Sequence, residues 1–137
     1  MSLLGGFGIS GSGMTAERLR MDVIAQNLAN AESTRGADGQ PYRRKSVVLG
    51  EAAGSSFEQV LAGVRVREIA EDQTPGRKVY DPSHPDADKA TGMVTMPNVS
   101  TVTEMVDLIS ASRAYEANVQ AFNAAKQMFT RTLDLLR

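Results

Sequence analysis

Apolar residues in the last third of the chain recur at helical spacing: Val102, Met105, Leu108, Ser112, Tyr115, Val119, Phe122, Ala125, Phe129, Leu133 and Leu136, with Ser112 the one polar member. Ten steps cover 34 residues, a mean of 3.4, nearer the 3.5 of a coiled coil than the 3.6 of an isolated helix. Val106, Ile109, Ala117, Ala121, Ala124 and Met128 widen the apolar face. From Asn98 to Arg137 there is neither Gly nor Pro, so nothing interrupts the pattern. Thr101-Val102-Thr103-Glu104 has the form of a capping box, in which hydroxyl and carboxylate satisfy free backbone N–H groups. Early charges are acidic (Glu104, Asp107, Glu116) and late ones basic (Lys126, Arg131, Arg137), as the helix dipole favours. A helix of about 36 residues is about 54 Å long. A compact chain of this size has a radius of gyration of about 14 Å, so such a helix outreaches any globule that could cover it.

A second breaker-free stretch runs from Met14 to Arg35. Phe7, Gly11, Met14, Met21, Ile24 and Leu28 recur at spacings of three, four or seven, which predicts an N-terminal helix interrupted on its apolar face near Glu17 and Arg18. Five of the twelve glycines lie in the first 13 residues; they weaken the opening turns and allow another helix to come close. Asn30 or Gly36, both tolerant of the left-handed conformation, can end the helix.

Between these arms lie the other seven glycines, all five prolines and most of the charge. Tyr42 to Leu49 and Gly63-Val64-Arg65-Val66-Arg67 are expected as strands, the second half-exposed by its alternation. Arg77 to Tyr80 and Gly92 to Met96 are short extended candidates, and Asp81-Pro82-Ser83-His84-Pro85 is a turn. The expected fold is mainly α with a small β or irregular middle: residues 1–34 and 99–137 form the helices of a coiled-coil-like bundle, and residues 35–98 a loop and short-strand insert.

Composition narrows the function. Fifteen Lys+Arg against sixteen Asp+Glu leave a net charge of −1, which argues against neutralising a nucleic-acid backbone. Cysteine is absent and His84 is the single histidine, so thiol catalysis, Cys–zinc sites and multi-histidine metal sites are excluded. Seven aromatic residues and no Trp argue against a large aromatic-lined pocket. No apolar run reaches the roughly 20 residues of a membrane helix, and the first residues lack the form of a cleavable secretory signal.

The candidate chemistry is thin. Ser83, His84 and Asp86 carry the letters of a hydrolase triad, but they are nearly adjacent, whereas triad members converge from separate elements. Asp81, Asp86, Asp88 and His84 do not follow a calcium-loop spacing. Arg43-Arg44-Lys45 reads as a solvated strand face. The glycines from Gly5 to Gly13 lack the Lys of a phosphate loop. No catalytic constellation, metal site or cofactor is expected. What remains is a pair of apolar arms, either packed on each other in a self-contained protein-binding module or shared with neighbours in a helical assembly. The amides Gln26, Asn27, Asn30, Asn118, Gln120, Asn123 and Gln127 either fix register beside the apolar faces or face solvent.

Three segments favour the assembly. Asn27-Leu28-Ala29-Asn30-Ala31-Glu32-Ser33-Thr34 resembles the N-terminal motif of the flagellar axial proteins of rod, hook and hook-associated type. Tyr80-Asp81-Pro82-Ser83-His84-Pro85-Asp86-Ala87 with Met96-Pro97-Asn98-Val99, and Glu104-Met105-Val106 with Ser112-Arg113-Ala114-Tyr115-Glu116-Ala117-Asn118-Val119-Gln120-Ala121-Phe122, are similar to the proximal-rod subunits within that family. Met93 departs from the family's usual Tyr. The resemblance implies terminal helices that pair and pack side by side into a periplasm-spanning tube, with the middle segment outside. It implies a structural subunit of a torque-transmitting shaft, exported through the flagellar type III apparatus without a cleavable signal. Its implied partners are further copies, other proximal-rod proteins, a rod-base adaptor and the distal rod; a distal-rod or hook-type subunit is the neighbouring alternative. Assembly residues are then expected on the two stripes and at the motif: Met14, Met21, Ile24, Asn27, Leu28, Asn30, Met105, Leu108, Tyr115, Asn118, Val119, Phe122, Phe129, Leu133 and Leu136.

Overall fold

The computed structural model describes residues 3–36, 38–51 and 63–135, with side chains from Gly6 onward. Leu136 and Arg137, expected in the C-terminal helix, lie outside the described residues. The chain runs helix α1 (Leu3–Ala29), strands β1 (Lys45–Glu51), β2 (Val64–Glu71), β3 (Lys78–Tyr80) and β4 (Met93–Thr95), then helix α2 (Thr101–Leu135). It is mainly helical with a small β insert, as the distribution of breakers predicts.

The helices pair antiparallel: Asn27 meets Glu104, Gly13 meets Asn118, and Phe7 meets Phe122 and Phe129. On α2 the covered positions Glu104, Leu108, Ala111, Tyr115, Asn118, Phe122 and Ala125 alternate steps of four and three. On α1, Gly13, Glu17, Arg20, Ile24 and Asn27 do the same. This is the spacing of a left-handed coiled-coil seam. Small residues let the helices approach. Ala111 is completely covered, and a Cβ on Gly13 would stand 3.0 Å from Asn118 Nδ2.

The glycine-rich start of α1 is helical from Leu3 despite a cost of about 1 kcal/mol per glycine. Tertiary contact compensates: the Phe7 ring stands edge-on to Phe122 and Phe129 at 5.1 and 6.5 Å. At the other end Asn30 stops the helix, but not by turning left-handed, since among the described residues only Gly39, Gly63 and Gly92 have positive φ. Its amide donates to the Gln26 carbonyl at 2.9 Å and its Oδ1 accepts from Ser33 Oγ at 3.1 Å.

β1 and β2 form an antiparallel ribbon from Lys45↔Glu71 to Glu51↔Val64, with an irregularity between Val48 and Leu49. It lies along α1. Gly63 permits this at φ +86°, with its Cα so close to Ser12 that no side chain fits, and Val64 N–H donates to Ser12 Oγ at 3.1 Å. β3 and β4 pair as a second, three-residue ribbon that buries Val94.

Two sequence expectations shift. The α2 cap is Ser100, whose Oγ accepts from Thr103 Oγ1 at 3.0 Å and whose carbonyl accepts from Glu104 N–H at 2.9 Å; the Glu104 carboxylate is engaged elsewhere. Of the late basic charges, Lys126 and Arg131 lie on α2 but short of its last described turn, and Arg137 lies outside the described residues.

Replacing Ala111 by Leu forces the seam apart and is expected to cost about 1–3 kcal/mol. Ala117→Leu, on the exposed side of the same helix, should stay within about 0.5 kcal/mol. Urea unfolding of the two variants measures the difference.

Candidate assembly interface

A buried polar joint sits where the end of α1, the start of α2 and the first strand converge. Asn27 and Glu104 are both 0% exposed. The Asn27 amide nitrogen donates to the Lys45 carbonyl at 2.8 Å and to Glu104 Oε2 at 2.9 Å. Its Oδ1 accepts from Tyr42 OH and from Lys45 N–H, each at 2.9 Å. Both donors and both acceptor positions of the amide are thus used, the condition under which a buried amide is tolerated. Glu104 Oε1 receives Arg44 Nε at 2.6 Å, and Arg44 Nη2 reaches Asp107 Oδ2 at 3.1 Å. Asn98 Oδ1 accepts from Arg44 N–H at 2.7 Å, while its amide donates to the Asp72 and Thr74 carbonyls. One connected set of bonds therefore ties α1, β1, the segment after β2 and α2.

The joint sets the rotation of α2. With Glu104 turned inward, Val102, Met105, Val106 and Ile109, at i, i+3, i+4 and i+7, are turned outward. They are 75%, 54%, 61% and 56% exposed. At the far end α2 is longer than α1, and Leu133 and Leu135 are 50% and 87% exposed beyond the seam.

The residues expected on assembly faces divide accordingly. Ile24 and Asn27 are enclosed by the subunit itself, and Phe122 packs on Phe7. Met14, Met21, Leu28, Leu108, Tyr115, Asn118 and Val119 are half-buried around the seam, and Asn30 closes α1. Met105, Phe129 and Leu133 are exposed, and Leu136 lies outside the described residues. The stripe read from sequence therefore spans two sides of the helix, exposed at Val102 and Met105 and half-buried from Leu108 to Phe122. Its first two steps, from Val102 to Met105 to Leu108, are both of three residues and swing it about 120° around the helix. The covered seam begins instead at Glu104.

Arg44 is a second correction. It is not part of a solvated strand face but the cation of the joint, while Lys45 pairs with Glu71 at 3.7 Å across the ribbon. Glu104 carried a signal in the sequence, since it shares the seam spacing with Leu108, Ala111, Tyr115 and Phe122; nothing local pointed to Arg44 as its partner.

The loop from Asp81 to Gly92 is a set of side-chain-closed turns. Asp81 accepts from Ser83 N–H at 3.1 Å and Ser83 Oγ at 2.6 Å, His84 Nδ1 accepts from Asp86 N–H at 3.1 Å, and Asp86 Oδ2 accepts from Thr34 Oγ1 at 2.8 Å. Ser83 is thus bonded to Asp81 rather than to His84, and the loop is pinned to the segment following α1. Hydrogen bonds from Ser83, from Thr74 and from Ala90 with Thr91 hold the carboxyls of Asp81, Asp72 and Asp88, respectively, below the ordinary range. Among the described residues no group of three or more His, Asp or Glu side chains is placed to hold a metal ion. None of the described helices is long and apolar enough to cross a membrane.

Burial pushes the Tyr42 phenol above its ordinary value of 10.0, and the charges of Glu104 and Glu71 push it the same way. The folded chain therefore resists ionising Tyr42. Its contribution to stability is intact below pH 10 and is lost as pH rises through the folded-state value. Ultraviolet titration of phenolate should show a late component that Tyr42→Phe removes. Asn27→Ala removes a partner from the part-buried Tyr42 hydroxyl and Lys45 backbone and from the buried Glu104 Oε2, and should cost about 3 kcal/mol. Arg44→Met should cost about 2–3 kcal/mol, less than a fully enclosed pair because Arg44 is partly exposed. Urea unfolding measures both.

The two helices coincide with two family matches. Residues 8–37 match the model for flagella basal body rod protein, and residues 90–135 match that for the flagellar basal body rod FlgEFG protein C-terminal region. Over 137 residues the chain is 49% identical to flagellar basal-body rod protein FlgC of Escherichia coli O6:H1, covering 98% of both chains. It is 45% identical to the Bacillus subtilis FlgC over 142 positions, covering 93% of each, and 41% identical to that of Borreliella burgdorferi over 152 positions, covering 100% and 99%. At these identities over nearly the whole length, the chain belongs to the FlgC family of flagellar basal-body rod proteins.

Proposed function

We propose that this chain is a structural subunit of the proximal rod of the flagellar basal body, which polymerises through its terminal helices into the tube that carries torque from motor to hook. The observation that carries the reading is the exposed apolar face Val102, Met105, Val106 and Ile109 on a helix whose opposite face is already covered. Each such side chain contributes about 1.5–3 kcal/mol when enclosed, a gain that needs a neighbour. The full-length likeness to rod proteins supports the same reading, and a self-contained binding module is not favoured by it.

Residues 1–34 and 99–137 form the wall of the tube, and residues 35–98 lie outside it against neighbouring subunits. Partners are further copies, the other proximal-rod proteins, the rod-base adaptor and the distal rod. The chain leaves the cell through the flagellar type III apparatus as an unfolded strand. Its large side chains remain partly uncovered until a neighbour arrives, so assembly completes the fold.

Phe122→Asp would damage the subunit's own hairpin, so exposed positions give the cleaner test. Leu133→Asp and Val106→Asp should leave the helical circular dichroism unchanged yet abolish swimming and the recovery of complete rods. Normal motility in both variants would refute an assembly role for these faces.

A further inference from the structure

The outer faces of the two helices are complementary to each other. On α1, Arg18, Asp22, Ala25 and Ala29 follow steps of four, three and four and are all exposed, on the side away from the seam. On α2, Met105, Ile109, Arg113 and Glu116 follow steps of four, four and three and are likewise exposed. Among the described residues none of these four charged side chains has an ion-pair partner.

We propose that the outer face of α1 in one copy docks antiparallel on the outer face of α2 in a second copy. Asp22 then stands opposite Arg113, Arg18 opposite Glu116, Ala25 opposite Ile109 and Ala29 opposite Met105. This deepens the rod-subunit reading and rests on it. Antiparallel alignment pairs both charges at once and sets two small residues against two large ones, as close helix packing requires. A parallel alignment pairs only one: Asp22 on Arg113 brings Arg18 to Ile109, and Arg18 on Glu116 brings Asp22 to Gln120. A two-fold contact between α2 helices satisfies the charges too, but it sets Ile109 against Gln120 and leaves the outer face of α1 uncovered. The proposed contact joins unlike faces, so it propagates instead of closing on itself.

The chain has no cysteine, which makes disulfide trapping free of background. Ala25→Cys and Ile109→Cys are placed together in the full-length chain, expressed in cells that lack the native copy, and assembled basal bodies are oxidised. Because the two positions lie on the outer sides of different helices, a bond between them links copies; it forms only if their Cα atoms come within about 7 Å. The expected result is a ladder of covalent multimers that neither single variant produces. Asp22→Arg and Arg113→Asp should each reduce the ladder several-fold, and together restore it. Motile cells whose rods give no ladder overturn this pairing and leave the rod-subunit reading intact. A dimer trapped instead by Ile109→Cys with Gln120→Cys, or a cross-link only to a different protein, also overturns it. Absence of the chain from purified basal bodies would overturn the rod-subunit reading itself.

Discussion

The enclosed contact between Asn27 and Glu104 governs the rest of the molecule. It joins the last turn of one long helix to the first turn of the other, and through Arg44, Tyr42 and Lys45 it holds the start of the middle segment in the same place. A helix packed only through alanines has little to define its rotation, because small side chains slide past one another. A carboxylate with fixed partners allows one azimuth, since any other would leave it buried and unpaired. The apolar face of α2 points outward because Glu104 points inward.

Elsewhere the hairpin is lightly held. The buried hydrophobic residues among those described are Ala16, Val23, Ile24, Val94 and Ala111, and the seam includes the Glu17–Arg20 pair, whose 3.9 Å separation leaves the buried Glu17 Oε2 without a hydrogen bond. Most of the large apolar side chains of α2 are half or fully exposed. The division of labour is physical: directional polar bonds specify the shape of one subunit, while the non-directional hydrophobic gain is left for contacts between subunits.

Much of this was legible in the sequence. The breaker-free arms mark α2 and the second half of α1, and the four extended segments fall within a few residues of β1 to β4, because Gly, Pro and alternation act locally; the turns of α1 before Met14 are helical although they hold five glycines. The rotation of α2 was not legible. Val102 and Met105 fit an apolar stripe as well as Leu108 and Tyr115 do, and only a partner on another element decides which of two overlapping stripes is covered. Arg44 was missed for the same reason: its role depends on Glu104, sixty residues away along the chain. The cap moved from Thr101 to Ser100 because Glu104, needed for the box, is held by the joint. The motif around Asn27 was one place where the sequence pointed to the joint, and the structure supplies its cause, an amide with every hydrogen-bonding position filled.

The outer faces of α1 and α2 differ from each other, and one copy presents both. A copy that covers one face of a neighbour brings with it a fresh example of the face it covered. Such a surface carries no information about length: it offers the next position on the same terms as the last. On the proposed pairing, the number of copies that stack would be decided outside this chain, by the supply of subunits or by an adjoining protein whose helices present a different pattern of charge.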